Sequence, residues 1–307
     1  MLKQIIEIYE MLDRSDVDGE MVKEVFTNHG SKNFEIKELN GPEGKTDFIK
    51  IIIEGTAGKS SGGNAPTLGI TGRLGGLGAR PKKIGFVSDG DGALAALGAA
   101  LKLVDMQNAG DKLKGDVIIT THICPDAPTI EHYPVTLMNS PVETNVINKL
   151  EVESHVDAVL SIDTTKGNKI INQKGFAISC TVKEGYLLRV SDDLLEIMMR
   201  VTGKLPVVFA VTQQDITPYG NGLYHMNSII QPAVATNAPV VGVAITTETA
   251  VAGSATGATH IFDVESVARY AVEVAKDFTE GNCSFYDCDE YEKILELYGS
   301  MKHFQNL

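Results

Sequence analysis

The sequence predicts an α/β fold, with a mostly parallel central sheet and helices on both faces, on three observations. Short apolar runs of strand length alternate along the chain with stretches whose apolar residues recur at helical spacing. Residues 82–126, KKIGFVSDGDGALAALGAALKLVDMQNAGDKLKGDVIITTHICPD, read as strand, glycine-rich turn, helix and strand. Polar residues collect where these strands end: Asp89 and Asp91 after the first, His122 and Asp126 after the second. A right-handed crossover turns both strands the same way, so all four side chains are expected at the carboxyl edge of one sheet. Open α/β sheets bind their ligands at that edge.

Leu2, Ile5, Ile6, Tyr9 and Leu12 predict a first helix over residues 2–12. Asp18 caps a second, from 19 to about 28, with Met21, Val22, Val25 and Phe26 on one face. Residues 34–39 alternate as a strand does and 48–53 form a longer β-branched run, with the turn Asn40-Gly41-Pro42-Glu43-Gly44 between them. A loop at 58–66 and a short strand at 67–71 precede a glycine-rich turn over 72–81, lined by backbone rather than side chains. Then come a strand at 84–87, a helix at 93–106 and a strand at 117–119. A brief helix at 144–150 leads to a buried strand at 156–162 that ends at Asp163. Three β-like runs between 169 and 190 (170–171, 177–182 and 186–190) make a small antiparallel excursion. Ser191 caps a helix at 194–201, and a strand at 207–211 runs into Gln213, Gln214 and Asp215. The loop at 217–222, a helix at about 226–235, a strand at 240–245 and a Thr, Ala and Gly-rich loop at 246–260 follow. Helices at 264–278 and 291–301 close the chain. Neither a repeat nor a long linker divides it, so residues 1–307 are read as a single domain.

Composition removes several function classes. With 43% hydrophobic and 22% charged residues the chain is that of a soluble globular protein. Its net charge of −13 opposes a phosphate backbone, so no nucleic-acid partner is expected. No apolar run approaches the roughly 20 residues of a membrane span. The amino-terminal MLKQIIEIYEMLDR mixes charges into its apolar residues, unlike a secretory signal, and a cytoplasmic location is expected. Cys124, Cys180, Cys283 and Cys288 show no close CxxC pairing, which fits reduced thiols.

Gly90-Asp91-Gly92-Ala93-Leu94-Ala95 satisfies a GxGxxG/A pattern before a helix. Asp89 and Asp91 would set two carboxylates against a pyrophosphate there, so a nucleotide cofactor is rejected. The same acids suit a divalent cation, Zn²⁺ among the candidates, with Asp89, Asp91, His122 and Asp163 as ligands. For each acid singly, a helix cap worth about 1 kcal/mol is the bland alternative. His122 taken alone reads as a hydrogen-bonded loop histidine, and Cys124 beside it as inert.

Taken together these residues resemble the zinc-dependent aminopeptidase superfamily with co-catalytic metals. There, one strand carries His-x-Asp, an Asp opens a small-residue helix, the next strand ends in Glu-Glu and a later one in Asp. Here TLGITGRLG (67–75) takes the first place, Asp89-Gly90-Asp91-Gly92-Ala93 the second, 122–126 the third and Ser161-Ile162-Asp163 the fourth. The departures are specific: Arg73-Leu74-Gly75 replaces His-x-Asp, and Asp126 is the carboxylate nearest the missing Glu-Glu. The whole chain is also similar to a bacterial family known only as a domain of unknown function, which supplies no activity.

Two functions are expected from this resemblance. One is a metal-dependent hydrolase of amide or peptide-like small substrates, with Asp126 as general base and Arg73 as the second catalytic candidate. The other is a non-catalytic binding or regulatory protein on a decayed metallopeptidase scaffold, with Arg73 in the old metal place holding a carboxylate. In both, the partner is a small-molecule or peptide-like ligand, and a closed homo-oligomer is expected. Arg73 is expected to pair with Asp89, Asp91 or Asp163.

Overall fold

The computed structural model describes residues 1–73, 85–131, 133, 137–152, 155–211, 227–254 and 256–305, and nine of its strands form one mixed sheet. An antiparallel hairpin opens it: β1 (Phe34–Gly41) pairs with β2 (Gly44–Ile53). β3 (Leu68–Gly72), β4 (Val117–Ile123), β7 (Ala158–Thr164) and β11 (Val240–Thr246) make the parallel core, in the spatial order β4-β3-β7-β11. A separate two-stranded ribbon, β5 (Thr129–Ile130) with β6 (Leu137–Met138), was not anticipated. β8 (Gly175–Ile178) runs antiparallel along β11, and β9 (Val182–Lys183) turns back into β10 (Tyr186–Leu187), which is the excursion expected near 169–190. The sheet is therefore parallel only at its centre.

Helices cover both faces. One carries α1 (Leu2–Leu12), α3 (Asp91–Asn108), α5 (Asp192–Thr202) and α6 (Ile261–Glu280), packed on Ile70, Ile119, Leu160 and Val243. α2 (Gly19–Asn28) lies beside β1 and β2 and is capped by Asp18, whose carboxylate accepts from the Met21 N–H at 2.8 Å. α4 (Thr144–Glu151) and a 3-10 helix (Ser228–Val234) cover the opposite face, where Ile118, Val159, Ala177 and Ala244 point. α7 (Cys288–Tyr298) follows α6, its amino end capped by Asp287.

Several expectations give way to tertiary context. Ile84 lies outside the described residues, and Gly85, Phe86 and Val87 form no strand. β3 already has β4 on one side and β7 on the other, so no slot is open beside it. Phe86 is buried in a loop instead, its N–H donating to the Asp13 carboxylate at 2.8 Å. The crossover that matters is thus β3 to α3 to β4. Residues 207–211 contribute only a bridge, Val208 to Ile178, rather than a strand. Ile170 and Ile171 turn over the Asn168 side chain, which accepts from both their N–H groups. The helix expected at 226–235 is the 3-10 segment, while Met226, Gln213, Gln214, Asp215 and the loop at 217–222 lie outside the described residues, as do 74–81 of the glycine turn.

Two glycines let α3 dock on the carboxyl ends of β3 and β7. A Cβ on Gly72 would lie 2.7 Å from the Ala96 Cβ, and one on Gly92 would lie 2.7 Å from the Ile162 carbonyl oxygen and 2.8 Å from that of Arg73. Backbone approaches backbone there because no side chain intervenes.

Candidate functional site

The period of two along a strand sorts the carboxyl-edge residues between the faces. Ile70, Ile119 and Ile162 face α3, so their neighbours Thr71 and Arg73, Thr120 and His122, and Ser161, Asp163 and Thr165 face α4 and the 3-10 helix. All of these polar residues are buried. Asn148 and Glu151 come down on them from α4, and Asn227, Ser228 and Gln231 from the 3-10 segment, buried as well. A polar layer is thus enclosed between the parallel core and its thinner cover.

Arg73 stands at its centre, 1% exposed. Its Nη1 donates to Glu151 Oε2 and to Asn148 Oδ1, each at 2.7 Å. Its ion-pair partner among the described residues is Glu151, which corrects the expected pairing with Asp89, Asp91 or Asp163. Burial raises the Glu151 carboxyl above its usual range, and Arg73 pulls it back down. The Glu151 carbonyl accepts from Thr120 Oγ1 at 3.0 Å and from Thr71 Oγ1 at 3.3 Å, fastening α4 to β3 and β4. Arg73 Nε, Asn148 Nδ2, Glu151 Oε1 and the Ser161 and Thr165 hydroxyls find no hydrogen-bond partner among the described residues.

His122 is held neutral. Burial, and secondarily the Arg73 charge, push its pKa down to about 4. Its Nδ1 lies 2.8 Å from Thr46 Oγ1, which itself donates to the Ile123 carbonyl at 3.0 Å. Which of the two donates in that contact follows the imidazole tautomer. Asp163 accepts from the Thr164 N–H at 2.7 Å and from Ser228 Oγ at 3.4 Å.

Asp91 belongs to the other side of the edge, as the first residue of α3. It is fully buried, facing Lys166 Nζ at 3.4 Å and accepting from Thr259 Oγ1 at 2.8 Å. Burial pushes its carboxyl up to about 7, against the pull of Lys166 and with a small push from Asp89. Asp89 is half-buried, its N–H donating to the Gly253 carbonyl at 3.0 Å. Neither Asp follows a strand, because 85–87 is loop. Asp126 is exposed in the turn beyond β4. Cys124 beside it is buried and its thiol is pushed up to about 11, chiefly by desolvation, which favours the unreactive thiol form.

The structure therefore brings Arg73 and His122 together on one face and Asp89 and Asp91 together at the α3 terminus. Asp163 sits buried under Ser228, and Asp126 lies out in solvent. Among the described residues no three His, Cys, Asp or Glu side chains group as a metal site would require. His122, Asp163, Asp91 and Glu151 are engaged by Thr46, Ser228, Thr259, Lys166 and Arg73. As placed, the described donors are not grouped as a divalent ion would need. Glu151, Asn148 and Lys166 were missed in the sequence; the missed signal was the alternation of polar residues in the last turns of β3, β4 and β7.

A groove of about 860 Å³ opens elsewhere, between β1, β2 and the amino ends of β7 and β11. Its lysines meet nearby acceptors, Lys50 with Glu35 at 3.1 Å and Lys183 with the Asn237 carbonyl at 2.6 Å. The buried, partly unsatisfied polar layer is the stronger candidate.

A family model described as "Protein of unknown function (DUF1177)" matches residues 37–307. The chain belongs to the DUF1177 family. Curated protein sequences give no match. Among solved structures, the LapA aminopeptidase of Legionella pneumophila aligns at a TM-score of 0.50 and 12% identity, over 91% of this chain and 69% of that one. The bottromycin maturation enzyme BotP, in complex with Mn, aligns at 0.50 and 12% identity, over 89% of this chain and 70% of that one. At such identity the likeness is one of fold: this family member has an aminopeptidase-like α/β scaffold.

Proposed function

We propose that this protein binds a small ligand in the polar layer at the carboxyl edge of an aminopeptidase-like scaffold, without two-metal hydrolysis. The observation that carries the reading is Arg73, buried and paired with Glu151 where the aminopeptidase pattern has its His-x-Asp ligands. A guanidinium beside His122, and the Lys166 ammonium against Asp91, oppose a further cation by direct repulsion. Lys166 stands against Asp91, one of the acids that a metal would otherwise neutralise, and Arg73 against Glu151. Five buried polar side chains on the same face keep hydrogen-bonding atoms that have no partner among the described residues.

The competing proposal is the metal-dependent hydrolase. It leans on LapA being an aminopeptidase and on the Mn complex of BotP. It would use Asp89, Asp91, His122 and Asp163 as ligands and Asp126 as base. A turnover screen of dipeptides, acylated amino acids and cyclic amides with added Zn²⁺, Mn²⁺ or Co²⁺ separates the two. The binding reading expects no turnover in any of them. Metal-dependent turnover that Asp126→Asn abolishes would replace it with the hydrolase.

A further inference from the structure

We propose that the groove between β1, β2 and the carboxyl end of α4 is a second binding site, separate from the polar layer, for an organic anion: a carboxylate carried on an apolar chain or ring. The groove holds about 860 Å³, the size of a small-molecule site. Strand register places its first wall. On β1 and β2, Lys37 stands directly opposite Phe48, and Glu35 opposite Lys50. Residues two apart share a face, so all four lie on one, with the Lys37 and Lys50 stems about 7–8 Å apart on the diagonal. α4 brings Lys149 and Leu150 to the same groove, its exit adds Val152, and Val156 follows ahead of β7. Phe48 packs with Ile147 and Leu150 of α4, so one apolar cluster holds the floor and ties the two walls together.

Charge selects the ligand. Four lysines, Lys37, Lys50, Lys149 and Lys183, line the groove against two carboxylates, Glu35 and Asp157, whereas the whole chain has 27 Lys and Arg against 40 Asp and Glu. Both carboxylates are already paired, Glu35 with Lys50 at 3.1 Å and Asp157 with Lys59 at 2.7 Å. Lys183 is committed too, to Glu184 at 3.2 Å and to the Asn237 carbonyl at 2.6 Å. Lys37 and Lys149 have no ion-pair partner among the described residues, and they are the cations left for a ligand. Distant acids count for little, because salt screens exposed charges beyond about 8 Å. The dipole of α4 points its negative end this way, which favours a singly charged anion over a phosphate ester. Phe48, Leu150, Val152 and Val156 offer apolar surface that a bare inorganic anion would leave unused.

Calorimetric titration of the full chain with octanoate, octan-1-ol, octylammonium and acetate tests this. Octanoate is expected to bind, and to bind more weakly as NaCl is raised. Octanol lacks the charge and acetate the chain, so each should bind at least about fivefold more weakly, and octylammonium should not bind. Lys37→Glu and Lys149→Glu, both at exposed positions, should each weaken octanoate about fivefold and together remove its advantage over octanol. The comparison of the four probes uses the unaltered protein, so the test stands even if a variant misfolds. Octanol or acetate binding as well as octanoate, preference for octylammonium, or no binding by any probe overturns the inference. So does octanoate binding that both substitutions leave unchanged, which would place the anion elsewhere, the Arg73 layer included. The function reading stands or falls separately, on the turnover screen, because neither lysine belongs to the polar layer.

Discussion

Glu151→Gln tests the buried pair at the heart of this site. The substitution keeps the shape of the side chain and removes its charge, so the Arg73 guanidinium, 1% exposed, is left with no counter-charge among the described residues. Breaking one side of a buried ion pair costs about 3–5 kcal/mol, because the surviving charge stays desolvated. The Gln carbonyl can still accept from Arg73 Nη1, which returns about 1 kcal/mol, so a loss of about 3 kcal/mol is expected. That is a large share of a typical net stability of about 5–15 kcal/mol. Urea unfolding should show it as a lower midpoint at unchanged slope. Arg73→Met combined with Glu151→Leu removes both charges and should lose less than Glu151→Gln alone, since apolar replacement of a buried pair is often neutral. A loss below about 1 kcal/mol, the range of solvent-exposed pairs, would refute the reasoning. So would a double variant that loses more than Glu151→Gln alone.

Other expectations follow from the same geometry and its surroundings. Asp91 has a folded pKa of about 7 against an ordinary 3.8, so the fold favours its protonated form. Its contribution to stability is present below about pH 4 and is lost as pH rises through about 7. Asp91→Asn should therefore gain melting temperature relative to the parent across that interval, and a constant difference would contradict the burial argument. His29 bridges α3 and α1 through Asp105 at 2.7 Å and Glu7 at 2.8 Å, and Asp105 chiefly raises its pKa above the ordinary 6.5. That contribution is full below 6.5 and lost as pH rises through the raised value, so His29→Gln should destabilise more at about pH 5.5 than at a pH above the raised value. Equal losses at both would show the bridge to be uncharged. Gly92→Ala would set a methyl 2.7 Å from the Ile162 carbonyl oxygen, so it should destabilise by about 1–3 kcal/mol in urea unfolding. A neutral result would mean that α3 docks more loosely than its contacts indicate.

Much of the scaffold was readable because its signals are local. The small-residue stretch after Asp91 could only be a closely packed helix, and the β-branched runs of β2, β4, β7 and β11 were plain. The Asp18 and Ser191 caps were found from residue type and both bond as expected, to the Met21 and Leu194 N–H groups. The strand expected at 84–87 failed because an apolar run records burial and not pairing. Phe86 and Val87 are indeed buried, but both edges of β3 were already taken. The candidate site was legible only by halves. Arg73, His122 and Asp163 were picked out as strand-end residues, whereas the partner of Arg73 lies 78 residues along the chain, on a helix with no motif of its own. Lys166 reads in the sequence as part of a turn, yet it supplies the cation facing Asp91. Pairings of that separation depend on how α4 and α3 settle on the sheet, and no spacing within the sequence encodes them.

Metal content measures the central claim most directly. The chain's own cations, Arg73 and Lys166, stand against Glu151 and Asp91, and the described residues hold no grouped set of metal ligands. Purified protein equilibrated with Zn²⁺, Mn²⁺ or Co²⁺ and then dialysed should retain far less than one ion per chain by elemental analysis. One or two ions per chain, lost on Asp89→Asn or Asp163→Asn, would contradict the account and return the site to metal-dependent chemistry.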